Sequence, residues 1–167
     1  MKSINHYTFD ELYSRLPEQL RNAMKECEQD PVWHPEGNAE IHTRLVFEYC
    51  QKNFKDVDLL VTAIFHDIAK PITRRDYMRD GKLKISNIGH EVQSIPYLDK
   101  YLHLYKDVCK DEEKIRYICK NHLRAHMYKT KKMTKPAKRQ ELENNKYFDL
   151  LMQFEEADTL GKDYGNN

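Results

Sequence analysis

No apolar run in this sequence approaches the roughly 20 residues that a membrane-spanning helix needs. The longest nearly unbroken one is Leu59 to Phe65. The opening Met1-Lys2-Ser3-Ile4-Asn5-His6 lacks the apolar stretch and small-residue site of a secretory signal. Glycine and proline are scarce, 5 and 6 residues in 167, too few for a collagen-like or low-complexity chain. The four cysteines, Cys27, Cys50, Cys109 and Cys119, form no C-x-x-C pair and sit in segments that read as helix. Reduced thiols in a cytoplasmic protein are therefore expected. Secreted miniproteins, transmembrane proteins and fibrous proteins fall away.

The chain is 40% hydrophobic and 33% charged, enough apolar material for one core in one domain of ordinary size. A net charge of +1 hides segregation. Arg124 to Arg139 holds seven basic residues and no acid, and Lys70 to Lys84 holds six basic residues against two acids. Two basic segments on an otherwise acidic body can focus a field on an anionic partner; they can equally be solvated loops.

Apolar periodicity near 3.6 dominates, with no convincing set of alternating strands, no internal repeat and no linker. A first helix is expected over residues 10–29, with Asp10 as its N-cap and a break at Pro17. Asn38 should cap a second helix over 39–52. A third, over 57–68, is apolar nearly all round and reads as a central buried helix. Residues 70–89 read as loop with a short hairpin at Asp80-Gly81. Helices over 90–105, 111–122 and 140–160 follow, with a basic loop over 125–138. The fold class is all-α: a single helical bundle with a central buried helix and long basic loops.

Extending each apolar stripe by one slot meets an ionisable residue. Ile115, Ile118 and Cys119 lead to His122; Tyr147, Leu151 and Phe154 lead to Asp158. Leu59 and Ala63 lead to His66, Leu60 and Ile64 to Asp67, and His42 opens the stripe of Leu45, Val46 and Tyr49. Positions i, i+3, i+4 and i+7 share a helix face, so these groups should point inward. An unpaired buried carboxylate costs several kcal/mol, so Asp67 and Asp158 need a strong partner. Local hydrogen bonds could satisfy each group singly. Taken jointly, a divalent cation accounts for all of them, since it stabilises anionic oxygen and neutral imidazole together.

The ordered set His42, His66-Asp67, Asp158 resembles the ligand pattern of the HD superfamily of metal-dependent phosphohydrolases. The segments HPEGNAEIHT (His34 to Thr43), FHDIAKPIT (Phe65 to Thr73), IGHE (Ile88 to Glu91) and EADTLGK (Glu156 to Lys162) are similar to the HD domain of bacterial tRNA nucleotidyltransferases. The nucleotide-adding domain of those enzymes has no counterpart here. The resemblance implies an HD domain over residues 31–163, an N-terminal helix over 1–30 packed on it, and a tail over 164–167. It implies that His42, His66, Asp67 and Asp158 bind a metal. His90 and His122 occupy positions where members with two metals place further histidines, Asp67 then bridging; His126 is the alternative to His122.

Such a nitrogen and oxygen donor set suits one or two ions of Mn²⁺, Fe²⁺, Ni²⁺, Co²⁺ or Zn²⁺, and Mg²⁺ less naturally. The expected chemistry is attack of a metal-activated water on a phosphate ester, with Asp67, His66 and Lys70 as the catalytic group. Lys70, Thr73, Arg74 and Arg75 are expected to bind phosphate, and His34, Arg124 and His126 to contribute to the substrate cleft. The substrate expected is a nucleotide or an RNA-end phosphate, with a 2′,3′-cyclic phosphate the most specific suggestion, and no membrane partner. Three alternatives stay open: a nucleoside 5′-monophosphatase, a non-catalytic RNA-binding or regulatory module, and an HD-type di-iron oxygenase. Oligomeric state is not legible.

Overall fold

The computed structural model describes residues 3–162. The expected tail and the first two residues of the N-terminal segment lie outside them. The chain is mainly helical, as its periodicity requires. Helices α1 (Phe9–Tyr13) and α2 (Glu18–Glu26) are separated at Pro17. The first cap is Thr8, whose hydroxyl accepts from the Glu11 amide; Asp10 instead pairs with Arg44 at 2.6 Å. Helix α3 (Ala39–Asn53) starts where Asn38 accepts from the Ile41 amide, the cap its sequence promises.

Helix α4 (Asp58–Phe65) is buried at every position and packs against α3, α6 (His90–Tyr101) and α7 (Glu112–Lys129). It stops at Phe65, short of the expected Ile68. Pro71 has no N–H to continue the ladder, and the Lys70 amide takes the Asp67 carbonyl in a tighter turn. His66 and Asp67 therefore sit in a turn between α4 and the short α5 (Lys70–Thr73), which frees their side chains from a helical face.

Residues 75–86 form an antiparallel hairpin, β1 (Arg75–Arg79) with β2 (Lys82–Ser86). Asp80 (φ 53°) and Gly81 (φ 71°) make its two-residue turn, both left-handed as a type I′ turn demands. Helix α6 gives way at Leu102 to a 3₁₀ turn. Helix α7 runs on to Lys129, so residues 125–129 of the expected basic loop are helix. The last expected helix is two, α8 (Pro136–Glu143) and α9 (Phe148–Leu160), parted where the Asn145 side chain accepts from the Tyr147 amide. Helix α9 packs on α3 and α7. At its end a Cβ on Gly161 would stand 2.5 Å from the Ala157 carbonyl and 3.0 Å from the Val46 backbone, so glycine permits the close approach to α3. Among the described residues no helix is long and apolar enough to cross a membrane.

Candidate metal centre

Helices α3, α6, α7 and α9 and the turn after α4 each deliver one or two ionisable groups to a common interior point. His42 on α3 brings Nε2 to 2.8 Å from Asp158 Oδ1 on α9. His66 Nε2 lies 3.2 Å from Asp67 Oδ2 and 3.6 Å from Asp158 Oδ1. His90, the first residue of α6, and His122 on α7 approach the other oxygen, Asp67 Oδ1, at 3.0 and 3.9 Å. Asp67 thus faces two imidazoles with each oxygen, since His42 Nε2 also stands 3.6 Å from its Oδ2. His42, His66, His90, His122 and Asp67 are buried; Asp158 is partly open to the cleft.

The far ring nitrogens explain this convergence. His66 Nδ1 donates to the Ala63 carbonyl, His90 Nδ1 to the Asn87 carbonyl and His122 Nδ1 to the Cys119 carbonyl, each at 2.7 Å. A carbonyl only accepts, so each Nδ1 carries the proton and each neutral ring presents its Nε2 lone pair inward. His90 Nε2 and His122 Nε2 then face each other at 3.1 Å. Two lone pairs at that distance, beside a carboxylate, repel unless positive charge lies among them. His66 Nε2 is moreover buried without a hydrogen-bond partner. The donor set therefore fits a divalent cation, and nitrogen with carboxylate oxygen is the set that transition ions and zinc accept.

The charges agree. Burial pushes the Asp67 and Asp158 carboxyls up, but the surrounding imidazoles, with Lys70 at Asp67, outweigh it and hold both well below the usual carboxylate range. Burial disfavours a second proton on His66, yet the two carboxylates raise its pKa to about 10, drawing to Nε2 the positive charge that an ion between them would otherwise supply. His122 goes the other way, down to about 3, from burial and the neighbouring His90. The side built on Asp158 has an excess of anions; the side built on His90 and His122 has an excess of lone pairs. Both kinds of excess are relieved by a cation.

Glu36 carries no role in the sequence reading. Its Oε1 stands 2.7 Å from His42 Nδ1 and 3.0 Å from His34 Nδ1. The two imidazoles overcome its burial and hold it at about 2, so it is anionic and fixes the far side of His42 as the carbonyls fix the other three rings. Its signal lay in the quoted HPEGN segment, where a carboxylate six residues before His42 sits in a turn that folds back over α3. The pairing of Ala39 N with the Cys27 carbonyl and of Gln29 N with the Gly37 carbonyl closes that turn. Gln29 carries no sequence signal: its Oε1 accepts from Lys70 Nζ at 2.5 Å, and Lys70 also meets Asp67 Oδ2 at 2.6 Å.

A cleft of about 330 Å³ opens onto Asp67, His90, His122 and Asp158. Lys70, His34 and His126 line it, and Trp33, 65% exposed, stands at its wall. His122 is the buried member of its pair. His126, one turn on, is half-exposed at the rim with Nδ1 3.3 Å from Glu155. Four expected substrate residues are not brought to this cleft. Thr73 returns its hydroxyl to the Ala69 carbonyl. Arg74 is held by both oxygens of Asp76 and by the Glu28 carbonyl. Arg124 is held by Asn121 and Glu141. Arg75 projects from β1 into a separate groove.

Comparison with known proteins agrees with this geometry. The HD domain family matches residues 40–159, a span that contains all six converging side chains. The chain belongs to the HD domain family, with the buried His and Asp cluster of a metal-dependent phosphohydrolase intact. No curated protein and no solved structure matches it. The narrower likeness to nucleotidyltransferase HD domains gains nothing from these comparisons.

Proposed function

We propose that the chain hydrolyses phosphate esters of nucleotides or RNA ends, with a 2′,3′-cyclic phosphate or a terminal 2′- or 3′-phosphate as the substrate its motifs most resemble. The observation that supports this most directly is Asp67, one carboxylate whose two oxygens face two separate pairs of imidazole nitrogens. In this reading His42, His66, Asp67 and Asp158 would hold one divalent ion, and Asp67, His90 and His122 would hold a second. Such ions supply a Lewis acid for a phosphoryl oxygen and lower the pKa of a coordinated water.

The remaining groups are the chain's own contribution. Lys70, fixed by Gln29, sets a buried positive charge on the cleft floor beside Asp67, where a phosphate oxygen would be neutralised. His34 and His126 present imidazoles along the cleft wall, where a leaving oxygen needs a proton. Trp33 offers a flat ring at that wall for a base. Residues 31–163 form the hydrolase unit, and the N-terminal segment braces it through Arg44 with Asp10 and the Tyr105 hydroxyl on the Leu12 carbonyl.

The test joins metal analysis of the purified protein to turnover of a panel: mononucleotides with 5′-, 3′- and 2′,3′-cyclic phosphates, and short RNAs with the same ends. Each is assayed with Mn²⁺, Ni²⁺, Co²⁺, Zn²⁺ and Mg²⁺ and after chelation. Chelation should abolish turnover and reloading restore it. Equal turnover by wild type and Asp67→Asn would overturn the assignment. Preference for 5′-monophosphates would favour the nucleotidase alternative over the RNA-end reading.

A further inference from the structure

The hairpin carries a second surface that the metal cleft does not use. Side chains alternate along a strand and cross-strand partners share a face. The register pairs Arg75 with Ser86, Tyr77 with Lys84 and Arg79 with Lys82. One face therefore bears four cations around one tyrosine and no acid. The opposite face carries Asp76, Met78, Leu83 and Ile85, and Ile85 lines the metal cleft. The residues of β1 are all exposed, and Tyr77 is 44% so. Among the described residues Arg75, Lys82 and Lys84 form no ion pair, and Arg79 meets only its neighbour Asp80, at 3.8 Å. The other basic segment is partly neutralised by contrast. Arg124 pairs with Glu141, Lys129 pairs with Glu155, and Arg139 lies over the Tyr128 ring.

This face looks into a groove of about 630 Å³ between the hairpin and the start of α6, with Arg75, Tyr77 and Ser86 on one wall and Gln93 on the other. Ile88, 88% exposed, borders both this groove and the metal cleft, so the two adjoin across one side chain.

We infer that the groove and the basic hairpin face bind the sugar-phosphate backbone of a single-stranded nucleic acid whose end enters the metal cleft. The inference rests on the hydrolase reading for the position of that end, and on charge complementarity for the rest. A row of unpaired cations tracks a phosphate backbone, and an exposed ring among them stacks a base without regard to sequence. A mononucleotide would fill the cleft alone and leave this row unused. The preferred substrate is then an oligonucleotide end.

The test measures binding without turnover. A fluorescent, unphosphorylated single-stranded RNA of about eight nucleotides is titrated into the full chain at several salt concentrations. Lys82→Glu combined with Lys84→Glu should weaken binding at least about tenfold and flatten the salt slope by about 0.7 per cation removed. Tyr77→Ala should weaken it about fivefold or more, the low end for loss of a stacked base. Lys135→Glu combined with Lys138→Glu, at the start of α8, serves as the charge-matched control and should shift it less than about twofold. In turnover, the ratio of kcat/KM for a phosphorylated octamer to that for the mononucleotide should fall about tenfold in the double lysine variant.

Hairpin variants that bind the strand as wild type does would overturn the inference. So would loss caused equally by the Lys135→Glu and Lys138→Glu pair, or binding to phosphatidylserine vesicles in place of RNA. Strand binding that is lost with the hairpin charges in a protein that hydrolyses nothing would retain this surface and remove the hydrolase reading. Turnover indifferent to chain length and to the hairpin would do the reverse.

Discussion

Two buried aspartates flank the same apolar helix, and their surroundings differ in one respect. Asp58, at the start of α4, is fully buried and surrounded by donors. It accepts from the Lys110 amide at 2.7 Å and the Asp111 amide at 3.1 Å, and from Lys114 Nζ at 2.8 Å. Those bonds fasten α4 to the entry of α7. Asp67, just past the other end, is 1% exposed and has Lys70 as its one cationic side chain besides the imidazoles. Its other neighbours are the Nε2 atoms of four imidazoles, three of them turned inward by Nδ1 bonds to carbonyls. A buried carboxylate among donors is a structural tie. One with a single lysine and four inward imidazole nitrogens, and no amide donor in the set, calls for a further cation. Burial alone would rank the two together, and only the sign of the neighbours separates them.

The comparison can be broken by exchanging one property at a time. Asp67→Asn keeps the shape and removes the shared charge, so phosphate-ester turnover should fall by at least about a thousandfold, ~4 kcal/mol of transition-state stabilisation. Added Mn²⁺ should raise the melting temperature of wild type and leave that of the variant within about 2 °C. A variant that still gains thermal stability from the ion would show that Asp67 is another structural tie.

Asp58→Ala should do the opposite. Loss of the buried ion pair and two amide bonds should cost about 3 kcal/mol in denaturant unfolding, while turnover per folded molecule stays near wild type. A selective fall in kcat would remove the distinction drawn above. Glu36→Gln sharpens the comparison at its periphery. It touches no Asp67 atom, yet the loss of charge behind His42 should weaken metal affinity about 10- to 100-fold by calorimetry. The smallest effect is expected at Gly161→Ala, where the added carbon must displace backbone between α9 and α3. A loss of about 1 kcal/mol, the low end for overpacking, is expected, read as a lower denaturation midpoint.

Much of this arrangement was legible in the helix stripes. His42, His122, Asp158 and the His66-Asp67 pair were placed inward from the 3.6 periodicity alone, and the hairpin turn from Asp80-Gly81. Boundaries were less legible. Nothing in the stripe of α4 shows that Pro71 would halt it at Phe65, and the periodic run after residue 140 conceals the break at Asn145. The substrate residues were the weakest part, for a physical reason. Nearness in sequence and charge point to Thr73, Arg74 and Arg124, but each has a closer partner: the Ala69 carbonyl, Asp76 and Glu141. Glu36 and Gln29 are not legible in the sequence, because turn residues have no periodicity to mark which way a side chain faces.

Composition and periodicity by themselves determined that this chain is a helical bundle with ionisable groups where apolar ones belong, because burial acts on every residue of a stripe alike. The tertiary structure alone decided which of those groups meet, which nitrogen each imidazole turns inward, and which cations stay free. Those outcomes depend on hydrogen-bond partners distant in sequence, such as Glu36 for His42 and Gln29 for Lys70. No local pattern encodes a contact that exists only after the chain has closed on itself.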